Sequence, residues 1–264
     1  MSVTIHPTAI VEEGAVLKDG VKIGPFCIVD STVTLGENTE LQSHVVIKGR
    51  TVIGKNNIIY PFASLGQVPQ DLKYNGEDTT LIIGDGNTIR ESVTMSIGTE
   101  GGGGETIVGD NNLFMALAHV GHDAIVGNNN VFANGATLAG HVEIGNHTVL
   151  GGLSAVHQFT RIGNYVMVGG MTAVDRDVIH FGVVSGTRGV LAGLNLRGLK
   201  RHGFEKARIA KIREYYHQIF EDQEGNLDDR LNVLLRENGD CGDLLQWHEF
   251  ISHSSRGMSM PRTA

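Results

Sequence analysis

The chain lacks what would place it in a membrane, outside the cell or on a nucleic acid. No apolar stretch approaches the ~20 residues needed to span a bilayer. Its first ten residues have neither the basic start nor the apolar run of a secretory signal. Cysteine is nearly missing: Cys27 and Cys241 stand far apart, with no metal spacing and no disulfide framework, which points to a reducing compartment. Positive charge is short as well, with 21 Lys and Arg against 29 Asp and Glu and a net charge of −8. A general nucleic-acid binder needs a basic surface to neutralise phosphate, so that class is excluded. The expectation is a soluble, cytoplasmic protein.

Glycine and an aliphatic rhythm are what the chain has instead. Its 36 glycines are about twice the average share, as a fold that turns every few residues requires. An aliphatic residue recurs every six positions from Ile5 through Val11, Leu17 and Ile23 to Leu65. The beat resumes at Ile83, Ile89 and Met95, and runs from Val108 to Val174. Neither a helix of period 3.6 nor an alternating strand gives a period of six. A hexapeptide-repeat parallel β-helix does, each repeat placing one side chain inward and spending the rest on a short strand and a turn. Three hexapeptides make an 18-residue triangular coil, so residues 5–179 supply roughly nine or ten coils, on the order of 45 Å of prism. Two segments interrupt the beat: 67–80, after which the register is regained, and 99–106, which contains Gly101–Gly104 and shifts it by one residue. Such loops cost a solenoid little and tend to lie on a binding face, although a glycine run is ordinarily just a flexible surface loop.

The pattern predicts a β-helical domain over 1–182 and a helical domain over 183–264. A helix is expected over 196–220, with Ile209, Ile212, Tyr216 and Ile219 on one stripe. Two more are expected over 227–236 and 243–253, covering the open end of the solenoid. Seven Lys and Arg between Arg197 and Arg213, against Glu205 alone, mark a flank suited to an acidic partner or a phosphate. An ordinary solvated helix face is the plainer account.

Twelve histidines are many for this length. Counted from coil starts at Val120, Leu138 and Val156, His122, His141 and His157 fall two, three and one residues in, and are expected to form a column along one prism edge. His119 lies at its foot. A lone histidine in a turn is usually a polar surface residue. Three on adjacent coils fit a general base and substrate donors better. A zinc site built from these three histidines is the other functional reading. Asp123 could hold the imidazole of His122, although strand alternation would point it away unless a turn intervenes. Gly140 offers a backbone N–H that a substrate can approach closely, as an oxyanion donor must.

The segments HPTAIVEEGA from His6, QDLKYNGE from Gln70, RESVT from Arg90, AHVGHD from Ala118, ATLAGHV from Ala136, AVHQF from Ala155 and GLKRHGF from Gly198 resemble the UDP-N-acetylglucosamine 3-O-acyltransferase family of lipid A biosynthesis. The resemblance spans nearly the whole chain, and the combination of QDLKY, AHVGHD and AVHQF is its specific part. It implies a left-handed helix, a homotrimer with sites between prisms, and transfer of a 3-hydroxyacyl chain from acyl carrier protein to the 3-hydroxyl of UDP-N-acetylglucosamine, with no metal or dissociable cofactor. It implies His122 as general base supported by Asp123, the Gly140 N–H as oxyanion donor, and His141 and His157 as positioning groups, with His119 lining the cleft. Asp71 and Lys73 would contact the sugar and phosphate side, while Gln158, Asn195 and Arg201 would hold the uridine diphosphate. Gly170 stands where the family's acyl-chain ruler lies. The chain departs from the family at Arg197, His202 and Leu117, and over SGTRGVLAGL from Ser185. A sister N-acyltransferase carries a further domain ahead of the repeats, whereas here the beat starts at Ile5.

Overall fold

The computed structural model describes residues 2–221, 225–239 and 241–262. The hexapeptide beat becomes three sheets of eleven, nine and eight strands, parallel but for the last strand of the first and visited in turn, so that the chain coils as a left-handed triangular prism. Most strands are two residues long: an outward residue and the inward aliphatic, as in Glu143–Ile144 or Val149–Leu150. Away from the excursions and the far end, each pairs with its equivalent 18 residues later, for example Val131 with Val149 and Val149 with Met167. The inward column of the eleven-stranded face includes Leu41, Ile59, Ile89, Phe114, Phe132 and Leu150, all essentially buried, and Phe114 stacks on Phe132 with centroids 4.5 Å apart. At most corners the third residue after the inward aliphatic takes a left-handed backbone to make the turn; Asn suits this at 38, 56, 111 and 129, and even Phe26 and Tyr165 adopt it.

A second column, of polar side chains, runs up one inner corner. Asn57 Oδ1 accepts from the Asn87 N–H, Asn87 Oδ1 from Asn112 and Asn112 Oδ1 from Asn130, each at 2.8 Å, and Asn130 Oδ1 accepts from Thr148 at 2.7 Å. Every one of these side chains is buried. They give the turn N–H groups partners that no strand supplies. A parallel outer ladder passes from Asp85 through Asp110, Asn128, Asn146 and Asn164 to the imidazole of His180.

Both interruptions of the beat are excursions. The first leaves the strand Ser64–Gln67 and returns at Thr80–Ile83; the second leaves Thr94–Ser96, makes a short 3-10 turn at Glu100–Gly102 and returns at Glu105–Val108. Both depart from the nine-stranded face toward the eight-stranded one, and therefore from the same edge.

The far end differs from the sequence expectation. The sheet does not stop at residue 182: Gly182–Ser185 pairs parallel with Met167–Val168, and Val190–Leu194 returns antiparallel. The helical part starts only at α1, Leu196–Arg201. The single helix expected over 196–220 is broken at 202–205, where Gly203 turns with φ 78°, before α2, Lys206–Tyr216, which runs into a π-helical turn at His217–Glu221. Two further helices, α3 (Leu227–Glu237) and α4 (Gly242–Ser252), match expectation within a residue at each end. Trp247 of α4, fully buried, donates its indole N–H to the His180 carbonyl at 3.1 Å and seals the prism there. At the opposite end Ile5 is exposed, because its strand has a neighbour on one side only, the following coil at Lys22–Ile23. Among the described residues no helix is long and apolar enough to cross a membrane.

Candidate active site

The edge from which both excursions leave carries the turn at 121–123. Asp123 sits at the left-handed corner position, φ 59°. This turn is what overrides strand alternation: it folds the carboxylate back so that Oδ2 lies 2.7 Å from His122 Nδ1. The Asp123 side chain is fully buried. Its Oδ1 accepts from the Thr99 N–H and its Oδ2 from the Thr99 hydroxyl, both at 2.7 Å, while its own N–H donates to Thr106 Oγ1 at 2.8 Å. Gly102 packs so closely on the carboxylate that any side chain there would overlap it.

With Nδ1 committed to Asp123, Nε2 of His122 is the nitrogen left for chemistry. The ring lies over Gly140, where an added Cβ would come within 2.6 Å of Nε2. Gly140 is buried, and its N–H has no hydrogen-bond partner among the described residues. His141 meets His122 edge-on at 5.0 Å and stacks flat on Phe159 at 4.4 Å. Its Nε2 lies 3.8 Å from Asp123 Oδ2. Burial pushes the His141 imidazole below its ordinary value, with Asp123 and Asp71 pulling the other way and His122 adding to the depression. The first excursion, which leaves from this edge, carries Asp71. Lys73 follows it there, its N–H donating to Asp71 Oδ1 at 3.0 Å. His119, on the strand below, pairs through Nδ1 with Thr94 Oγ1 at 2.7 Å and is likewise pushed down by burial and by His122.

The expected histidine column needs correcting. The residues that stack at equal turn positions are Asp123, His141 and Phe159, at φ 59°, 60° and 62°. His157 is two positions earlier than Phe159, at a strand end; it is exposed and its Nδ1 donates to the Gln158 carbonyl at 3.1 Å. The offsets of two, three and one already contained this difference. The same geometry bears on the zinc reading. The ligand atoms that come within 4.8 Å of one another belong to His122, Asp123 and His141, not to three histidines. Asp123 Oδ2 is already engaged by His122 and Thr99, and the cluster is wider than a tetrahedral zinc with ligands at about 2.0–2.1 Å would draw it.

Asn195, Arg201 and Gly170 do not join this edge. Asn195 caps α1, its Oδ1 accepting from Gly198 N–H at 3.0 Å and its Nδ2 donating to the Tyr165 carbonyl at 2.9 Å. Tyr165 belongs to the edge after the eight-stranded face, one corner away from His122. There a cavity of about 560 Å³ is lined by His147, Asn195, Arg197, Arg201 and His202 among others. Gly170 belongs to the third edge, beside Gly152 and the exposed Leu153 and Met171. Sequence reasoning missed Thr99, Gly102 and Thr106. The available signal was that both excursions follow beats, Leu65 and Met95, of the face that also carries Val120.

Comparison with known proteins gives the following. A profile described as UDP-N-acetylglucosamine O-acyltransferase, domain 2, matches residues 177–259, and the bacterial transferase hexapeptide profile matches 14–49 and 105–140. The acyl-[acyl-carrier-protein]–UDP-N-acetylglucosamine O-acyltransferase of Rickettsia canadensis is 59% identical over 251 residues, covering 95% of each chain. A solved UDP-N-acetylglucosamine acyltransferase superposes with a TM-score of 0.96 at 40% identity, covering 98% of this chain and all of that one. The UDP-N-acetylglucosamine O-acyltransferase of Moraxella catarrhalis gives 0.93 at 42% identity, covering 97% and 99%.

Proposed function

The chain belongs to the UDP-N-acetylglucosamine O-acyltransferase family, and on that premise we propose that it moves a 3-hydroxyacyl chain from acyl carrier protein to the 3-hydroxyl of UDP-N-acetylglucosamine, the first step of lipid A biosynthesis, in the cytoplasm. The observation that carries the reading is the 2.7 Å pair between His122 Nδ1 and a buried Asp123. It holds the proton on Nδ1 and leaves Nε2 basic. Nε2 takes the proton of the sugar 3-hydroxyl as its oxygen attacks the thioester carbonyl. The resulting oxyanion is received by the Gly140 N–H. The tetrahedral intermediate then collapses, the C–S bond breaks, and the imidazolium returns its proton to the departing carrier thiolate. No step calls on a metal.

His141, stiffened by Phe159, and His157 position the sugar, with His119 at the floor of the cleft and Asp71 and Lys73 reaching over it. Gln158 shares the His122 edge, whereas Asn195 and Arg201 are a corner away. The proposal therefore takes the uridine-diphosphate grip and the base from different copies, in a homotrimer whose clefts combine two edges. Arg201 suits the diphosphate because its fork matches phosphate oxygens. Gly170 lets the acyl tail pass, and the exposed basic flank from Arg197 to Arg213 receives the acidic carrier protein. The deciding experiment is His122→Ala, assayed with 3-hydroxyacyl carrier protein and UDP-N-acetylglucosamine. Loss of most of the roughly 10²–10⁴-fold that a general base supplies is expected; near-wild-type turnover would remove His122 from the role.

A further inference from the structure

We infer that Thr99 is a positioning residue for acyl transfer, acting through Asp123 to hold His122 in its productive orientation and tautomer; the inference rests on the acyl-transfer reading above. Thr99 grips both carboxylate oxygens, Oδ1 by its N–H and Oδ2 by its hydroxyl, each at 2.7 Å. Oδ2 is the oxygen that also receives His122 Nδ1–H. A two-point grip fixes rotation of the carboxylate, and with it the plane of the imidazole. Donated hydrogen bonds also keep negative charge on Asp123, so that the shared proton stays on Nδ1.

Thr99 is itself held. Its carbonyl accepts from Gly102 N–H at 3.0 Å and Gly104 N–H at 2.8 Å, closing the turn that lays Gly102 against the carboxylate. Before it, the Gly98 carbonyl accepts the Thr79 hydroxyl at 2.6 Å; after it, the Gly104 carbonyl accepts the Thr80 N–H at 2.9 Å. Thr79 and Thr80 are where the first excursion returns. The glycine-rich segment 99–104 is thus a brace for the His122–Asp123 pair, anchored on the loop that carries Asp71 and Lys73. Glycine at 102 is needed because nothing larger fits between the brace and the carboxylate.

The test compares Thr99→Val, which keeps the shape and the N–H but loses the hydroxyl, with Thr99→Ser, which restores it. Thr99→Val should lower kcat on the order of 10-fold, the loss of one charge-assisted hydrogen bond, with KM little changed. Freed of one donor, the carboxylate stabilises the imidazolium more strongly, so the acidic limb of the kcat/KM profile should move to higher pH. Thr99→Ser should return both to wild type. Unchanged turnover and profile in Thr99→Val, or equal losses in Thr99→Val and Thr99→Ser, would overturn the inference. If Thr99→Val does not fold, Gly102→Ala decides, since its methyl must push the brace off Asp123: the same loss and limb shift support the role, and their absence overturns it. A wild-type protein inactive in acyl transfer would sink the acyl-transfer reading instead. The downfield Nδ1 proton resonance of His122 then still decides on Thr99. It should shift in Thr99→Val and return to its wild-type position in Thr99→Ser, and an unchanged resonance in Thr99→Val would overturn the inference.

Discussion

Acidification should loosen the joint between prism and helical cap through a single imidazole. His180 ends the outer ladder: its Nδ1 accepts the Asn164 N–H at 2.7 Å, which requires that nitrogen to be unprotonated. Burial, helped by the Arg161 guanidinium and opposed by Asp243, pushes His180 down from 6.5 to about 4. The ring is packed edge-on against Phe250 at 4.8 Å, and its carbonyl holds the Trp247 indole. The unfolded chain takes up a proton as pH falls through 6.5, while the folded chain resists until about 4. Below 6.5 the unfolded state therefore binds more protons, and stability falls with pH. Linkage over that window gives a loss of about 2 kcal/mol between pH 7 and pH 5, approaching about 3 kcal/mol by pH 4. Replacing the ring by His180→Asn keeps an acceptor where Nδ1 stood and removes the titration. Urea unfolding of both proteins at pH 7 and pH 5 isolates this group, because other titrations cancel in the difference. Wild type should lose about 2 kcal/mol relative to His180→Asn between the two pH values. A difference that does not change with pH would refute the reasoning.

Three further outcomes follow from the geometry. Gly140→Ala places a methyl against the His122 ring, and a displacement approaching 1 Å should cost roughly 10²-fold in kcat while circular dichroism stays that of the wild type. A Cβ at Gly170 would meet nothing closer than the Gly152 carbonyl at 3.3 Å; Gly170→Leu should fold, and its preference among acyl carriers of graded length should move to shorter chains. Asn112→Ala leaves the buried Asn130 N–H without its acceptor, and denaturant unfolding should show a loss of about 1–3 kcal/mol.

The prism was legible because one inward residue per hexapeptide is a one-dimensional signal: burial of Ile23, Leu41, Val126 and Ile162 follows from counting alone. Helix positions in the cap were legible for the same reason, since Leu231, Leu234, Leu244 and Trp247 repeat at helical spacing and are buried. The break at 202–205 was not, because Gly203 interrupts a run whose flanks both read as helix. Nor was the hairpin of 182–194, whose glycines hide the alternation of Val183, Val184 and Leu191. At the site, counting put His122 and Gly140 on one edge, whereas Asp71 and Lys73 entered only through the family resemblance, and the fold-back of Asp123 waited on the turn at 121–123. The role of Thr99 was not legible. It depends on a loop closing over an edge 24 residues further along the chain; the beats place that loop at the edge, but the pairing of Thr99 with Asp123 has no signature in either segment.

The asparagine column at the inner corner has a consequence for how such a protein can change. Each rung bonds only to the coil above and the coil below, and it senses where the chain re-enters, not how far it has wandered: Asn57 reaches Asn87 across 30 residues and Asn87 reaches Asn112 across 25, with the same 2.8 Å bond. Loops of any length can therefore be spliced in at an edge without disturbing the column. A gain or loss of one hexapeptide would instead rotate every later rung onto the wrong corner. Length in this architecture is quantised in whole coils, while novelty at the edges is free, and the two loops beside His122 are where that freedom has been used.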